Sequence, residues 1–133
     1  MELLDTNVLL DIFTLNPIWY IWSESQLRLA TVQKLVTINP LIYAEFAPAF
    51  PSENDLDRWL DPTIFKRLPL PYEAGWLASQ AFRKYRKSGG TKTSPMPDFY
   101  IGAYAEVANI PIVTRDPGRF RTYFPNVVLI TPP

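Results

Sequence analysis

An α/β fold with a mostly parallel sheet follows from three features of this 133-residue chain. Short apolar runs of strand length alternate with longer segments of helical periodicity. The fourteen prolines fall mostly at the boundaries between those segments, so they punctuate elements instead of breaking them. With 47% hydrophobic and 14% aromatic residues and only five glycines, the chain can fill one core and lacks the composition of a disordered segment. A single domain over residues 1–133 is expected, layered, with about four to five strands and helices on both faces of the sheet.

In chain order, "LLDTNVLLDI" (residues 3–12) opens with Leu3 and Leu4 as the end of a buried strand, and Val8, Leu9, Leu10 and Ile12 have the crowding of a helix packed on a sheet. Asp5 stands at the seam, where open α/β sheets bind ligands and where a helix cap would also stand. On this stretch alone the cap is the simpler reading. "NPIWYIWSESQL" starts a second helix with Asn16 as cap and Pro17 in the first turn. Ile18, Ile21, Trp22, Ser25 and Leu29 share one of its faces, while Trp19 and Tyr20 fall partly outside it and read as core filling before contact surface.

"KLVTI" is a second buried strand, and "NPLIYAEFAP" another Asn-capped, proline-started helix. "SENDLDRWLD" has the acidic first turn of a helix, and "FKRLPL" is a short strand or linker. Residues 71–87 form the longest helical segment, with Trp76, Leu77, Ala81 and Tyr85 among its apolar positions. "KSGGTKTSPMP" is a flexible loop. "PDFYIGAYAEVANI" is helical, with Gly102, Ala105 and Ala108 small enough to pack closely on a sheet. "IPIVTRD" is a strand ending at Asp116, "PGRFRTYF" a turn and short helix, and "VVLIT" the last strand.

Composition narrows the chemistry. The chain has no cysteine and no histidine, which excludes disulfides, thiolate nucleophiles, zinc held on sulfur and the commonest general base. Catalysis would fall to carboxylates, hydroxyls, Lys, Arg, Tyr or a hard cation. Glu2 and Asp5 occupy the place of a basic signal-peptide n-region, and no apolar run approaches the roughly 18 residues of a membrane span, so a cytoplasmic location without membrane attachment is expected. The net charge is zero, but residues 1–61 carry nine acidic and three basic side chains, and residues 62–133 four acidic and ten basic. That asymmetry implies an acidic locus beside a basic surface.

Four acids need explaining. Asp5 and Asp116 each follow a strand, and would meet at one sheet edge if those strands are neighbours. Glu45 lies three residues after Ile42 and four after Leu41, on the apolar face of its helix, where a carboxylate is costly unless paired. Asp98 enters its helix in the first turn, on the side of Ile101, Gly102 and Ala105. Singly, each has a structural explanation as cap, dipole partner, turn residue or ion-pair member. Together they would repel strongly unless a divalent cation neutralised them, and Mg²⁺ or Mn²⁺ suits an all-oxygen donor set.

In order and spacing, "LLDTNVLLDI", "YAEF", "PDFYIGAYA" and "IVTRDPGRFRTYFP" resemble the PIN-domain ribonucleases, and the chain is similar over nearly its whole length to the VapC-type toxins of toxin–antitoxin pairs. The resemblance implies a PIN-like three-layer fold in which Asp5, Glu45, Asp98 and Asp116 hold Mg²⁺ or Mn²⁺ and catalyse metal-assisted hydrolysis of RNA, leaving a 5′-phosphate and a 3′-hydroxyl. Asn7 and Thr114 match the polar residues that accompany the first and last acids. A cognate antitoxin and a homodimer are implied as partners. The basic cluster Arg83, Lys84, Arg86 and Lys87, with Arg115 and Arg119 flanking the last acid, is a candidate for phosphate contact, set against a solvated helix end. Two rival functions remain: a PIN fold that binds RNA or protein without cutting, and a Mg²⁺-dependent phosphoacceptor domain. The second of these normally needs a lysine near the last strand, and "VVLITPP" offers none.

Overall fold

The computed structural model describes residues 1–33, 35–93 and 96–133. Residue 34, expected to open the second strand, and residues 94–95, in the expected flexible loop, lie outside the described residues. The elements are β1 (Glu2–Leu4), α1 (Thr6–Phe13), α2 (Tyr20–Val32), β2 (Val36–Ile38), α3 (Pro40–Phe46), α4 (Glu53–Trp59), β3 (Lys66–Arg67), α5 (Tyr72–Lys87), α6 (Pro97–Ala108), β4 (Ile112–Val113), α7 (Gly118–Tyr123) and β5 (Leu129–Ile130). All five strands are parallel, in the order β3-β2-β1-β4-β5. Leu3 aligns with Thr37 of β2 and Ile112 of β4, which places β1 at the centre.

Successive strand residues point to opposite faces of a sheet. Leu3 and Leu4 are both fully buried, as are Ile112 and Val113, so helices cover both faces. Each such side chain contributes roughly 1.5–3 kcal/mol on burial. The helix starts follow local chemistry. Asn39 Oδ1 accepts from the N–H groups of Leu41 and Ile42 at 3.1 and 3.0 Å ahead of Pro40. Ser52 Oγ accepts from Asp55 N at 3.2 Å. Caps of this kind are worth about 1 kcal/mol each. Helix α6 ends at Asn109, whose left-handed backbone (φ 54°, ψ 50°) stops the helix without a glycine.

Two helical faces differ from the sequence reading. Asn16 does cap a turn, accepting from Ile18 N and Trp19 N, but α2 itself begins only at Tyr20. Ile18, Ile21 and Leu29 are 77, 81 and 58% exposed, while Ser23 and Ala30 are buried and Trp22 and Leu27 pack partly on the core. The cause is polar: the Ser23 hydroxyl is drawn inward to donate to buried Asp11 at 2.8 Å, and this turns the apolar residues outward. In α5 the inward face is Ala74, Ala78 and Ala81, small enough for close approach to α6, and Trp76 lies outside it. Gly102 packs beneath the Phe124 ring, and Ala108 is exposed.

Candidate functional site

The sheet order reverses direction between β1 and β4: β2 and β3 lie to one side, β5 to the other. The carboxyl ends of strands at such a reversal form the usual binding crevice of an open α/β sheet. Asp5 and Thr114 are the first residues beyond those two strands. Asp5 N donates to Val113 O, and Thr114 N to Ile130 O, both at 3.0 Å, so the ladder pins each residue at the rim.

Asp5 serves as cap and site residue at once. Its Oδ1 accepts from Thr6 N at 2.8 Å, closing the first turn of α1. Its Oδ2 accepts from the Thr114 hydroxyl at 2.9 Å and from Asn7 Nδ2 at 3.2 Å. Asn7 Nδ2 also donates to Thr114 Oγ1 at 3.2 Å, and that oxygen accepts from Asp116 N at 3.0 Å. The two polar residues picked out from the sequence thus tie the first acid to the backbone of the last. Asp5 is only 5% exposed, and burial is the main cause that pushes its pKa from 3.8 up to about 6. The Thr114 and Thr6 hydrogen bonds oppose the rise, whereas the charges of Asp98 and Glu45 add to it.

Glu45 leaves α3 with its carboxylate near the surface, not sealed in the apolar face as the spacing predicts. Thr6 Oγ1 donates to Glu45 Oε1 at 2.9 Å and holds it toward α1. Partial burial raises its pKa, the Thr6 bond lowers it, and Asp98 raises it. Asp98, in the first turn of α6, is half-buried. Burial raises its pKa first, with Arg119 opposing and Asp116 adding. Arg119 Nη1 stands 3.7 Å from Asp98 Oδ2 and its guanidinium lies 5.7 Å from the Phe99 ring centroid. Asp98, Asp116, Arg119 and Tyr85 line one open cleft of about 370 Å³.

The four acids are linked by charge, with Asp98 and Glu45 acting on Asp5, Asp98 on Glu45, and Asp116 on Asp98. Among the described residues, no three of them approach as a closed cation cage. The donor chemistry nonetheless fits a hard divalent ion: every donor is oxygen, and three of the carboxyls have pKa values raised first by burial and then by acidic neighbours. The remaining cations are disposed differently. Arg83, Lys84, Arg86 and Lys87 are exposed at the end of α5. Arg115 is committed inward: its Nε donates to buried Asp11 at 2.8 Å and its guanidinium covers Trp19 at 5.7 Å. A larger hollow of about 680 Å³ opens beside Thr31, Val36 and Phe65, at the other end of the strands, but carries no carboxylate.

Sequence reasoning missed three contributors. Thr6 positions Glu45. Asp11 and Ser23 anchor Arg115 and with it the segment between Thr114 and Asp116. The signal for Asp11 was present, an acid among the apolar residues of "VLLDIF", and it is the same signal that drew attention to Glu45.

The PIN domain family model matches residues 3–124. Among solved structures the chain is similar to VapBC2 from Rickettsia felis, bound to a DNA fragment from its promoter, at TM-score 0.73 and 17% identity, covering 99% of this chain and 98% of that one. FitAcB from Neisseria gonorrhoeae superposes at 0.71 with 23% identity, covering 98% and 97%. DNA-bound VapBC from Salmonella typhimurium does so at 0.70 with 19% identity, covering 98% and 96%. At these identities the likeness is one of fold. No curated protein matches the sequence. With the family model covering all but the first two residues and the last nine, and the acids at the sheet reversal, the chain belongs to the PIN domain family.

Proposed function

We propose that the chain is a divalent-metal-dependent endoribonuclease, acting as the toxin of a VapBC-type pair. The observation that carries this reading is the coupled acidic set at the β1/β4 strand ends, with Asp5 raised to about 6 by burial and by its acidic neighbours. Solved structures that superpose on almost the whole chain are toxin–antitoxin complexes, which supports the toxin half of the proposal.

Asp5, Glu45, Asp98 and Asp116 would hold Mg²⁺ or Mn²⁺, which when bound lowers the pKa of coordinated water and neutralises phosphate charge. The chain's own groups do the rest. Thr114 and Asn7 fix Asp5 Oδ2 by two donated hydrogen bonds, so its position costs no reorganisation during reaction. Thr6 orients Glu45. Asp98, half-exposed in the first turn of α6, would orient the attacking water through a carboxylate oxygen. Arg119 beside it offers a cation to a phosphate oxygen. In-line attack by water leaves a 5′-phosphate and a 3′-hydroxyl.

The partner would be a small antitoxin whose Arg or Lys pairs with the acids and keeps RNA out. A homodimer is part of the same proposal. A second reading, RNA binding without cleavage, draws on the Arg119–Asp98 pair, which already satisfies part of one carboxylate. The test is expression of the chain alone and of its Asp5→Asn form in cells. The native chain should arrest growth, rescued by the adjacent antitoxin, and Asp5→Asn should be harmless. Normal growth with abundant soluble native chain would remove the toxin assignment.

A further inference from the structure

Helix α5 carries a surface that the acidic cleft leaves unexplained. Tyr72 is 99% and Trp76 67% exposed, although both are large aromatics on the longest helix of the chain. An α-helix turns 3.6 residues per turn, which places Tyr72, Trp76, Arg83 and Lys87 within a sector of about 60°. Ala74, Ala78 and Ala81 occupy the opposite, buried face. The outward stripe therefore begins with two aromatic rings and ends in cations, over about 22 Å of helix at 1.5 Å per residue.

The basic end is joined to the cleft. Tyr85, from the inward side of the same last turns, lines the cavity with Asp98, Asp116 and Arg119. Its hydroxyl accepts from Thr91 N and Lys92 N at 3.2 and 3.3 Å, and Arg86 Nη1 donates to Lys92 O at 2.8 Å. These bonds bring exposed Lys92 to the cationic end of α5. A positive track ending in exposed rings is the arrangement that holds a single strand, with phosphates on the cations and unpaired bases stacked on the aromatics.

We infer that the Tyr72–Trp76–Arg83–Lys87 face of α5 is a binding track for single-stranded RNA leading away from the acidic cleft. The inference rests on the ribonuclease reading and deepens it, because the rings, about 14–20 Å along the helix from Tyr85 at the cleft, would select an unpaired segment at a distance from the cut site. Duplex RNA buries its base faces and has nothing to offer the rings.

The test is fluorescence anisotropy in chelator, where cleavage cannot intervene. The probes are a short labelled single-stranded RNA and the same strand annealed to its complement. Tyr72→Ala and Trp76→Ala should each weaken single-strand binding roughly ten-fold, with Trp76→Phe retaining most of it and duplex binding unchanged. Sedimentation of the alanine variants should match the native chain. If the native chain binds the single strand and the alanine variants bind it equally well, the track is refuted while the ribonuclease reading stands. If the alanine variants change the state of assembly, the face belongs to a second copy of the chain and the track is again refuted. If the native chain binds no RNA in chelator and also cleaves none in Mg²⁺, the ribonuclease reading fails and takes the track with it, whereas cleavage in Mg²⁺ without any binding in chelator refutes the track alone.

Discussion

Replacing Asp5 with Asn should change the metal-free protein's stability in opposite directions at low and at neutral pH. In the folded chain the Asp5 carboxyl titrates at about 6 instead of 3.8, so between those values the folded state holds a proton that the unfolded state has lost. Its contribution to stability is full below the lower value and disappears as the pH rises through the upper one. At about 1.36 kcal/mol per unit, the shift amounts to about 3 kcal/mol. Asp5→Asn removes this titration but turns an amide N–H toward the Thr114 hydroxyl, which costs about 1 kcal/mol. The stability curves should therefore cross. Near pH 3 the variant is the weaker by about 1 kcal/mol, and near pH 7.5 the stronger by about 2 kcal/mol. Glu45 and Asp98 are raised in the same direction and remain in both proteins, so the difference reports the loss of the Asp5 carboxyl together with its charge interaction with them. Urea unfolding in chelator, followed by tryptophan fluorescence, measures it. Parallel pH profiles for the two proteins would refute the claim that Asp5 is ionised at a cost.

EDTA should abolish RNA cleavage, with Mg²⁺ or Mn²⁺ restoring it and Ca²⁺ doing so poorly, since calcium is the weaker Lewis acid and accepts looser shells. Cleavage rates in each ion decide this, and full turnover in chelator would exclude the metal role. Neutralising Arg83, Lys84, Arg86 and Lys87 together should flatten the salt dependence of single-stranded RNA binding, by up to about 0.7 in slope for each phosphate that no longer meets a cation. An unchanged slope in titrations across ionic strength would return these cations to a solvated helix end. Gly102→Ala should destabilise the fold by about 1–3 kcal/mol in urea unfolding, because a Cβ there collides with the Phe124 ring. A neutral result would mean that α6 and the Phe124 segment can separate freely.

The layout of strands and helices was legible wherever local chemistry and tertiary packing agree. Asn39 followed by Pro40, and Ser52 three residues before Asp55, start helices by their own hydrogen bonds. Leu3-Leu4 and Ile112-Val113 mark strands covered on both faces. In α2 a different force decided. Its apolar residues fit more than one face, and the buried Ser23–Asp11–Arg115 network, between residues far apart in sequence, chose the face that hides a serine and exposes Ile21 and Leu29. Periodicity does not encode such a partner.

In the site, strand ends could be read and side-chain commitments could not. Asp5 was placed by its position after an apolar run, and the pairing of β1 with β4 brings the two strand ends side by side, but β4 ends at Val113 and Thr114 takes the strand-end place expected of Asp116, which stands two residues further on. Glu45 was read as buried because its neighbours are apolar, yet Thr6 holds its carboxylate near the surface. Arg115 was grouped with phosphate-facing cations on sequence adjacency to Asp116, but its guanidinium is taken up by Asp11 and Trp19. A flanking arginine becomes a substrate ligand only if nothing inside the fold claims it first.

The most direct test of the central claim is cleavage of a defined single-stranded RNA by the purified chain in Mg²⁺, with product ends identified, beside Asp5→Asn and Asp98→Asn. The native chain should give 5′-phosphate and 3′-hydroxyl products. Each variant should lose rate by at least about 10²-fold, the scale on which removing a preorganised catalytic group acts. Undiminished cleavage by both folded variants, or products with a cyclic phosphate formed without metal, would contradict the claim.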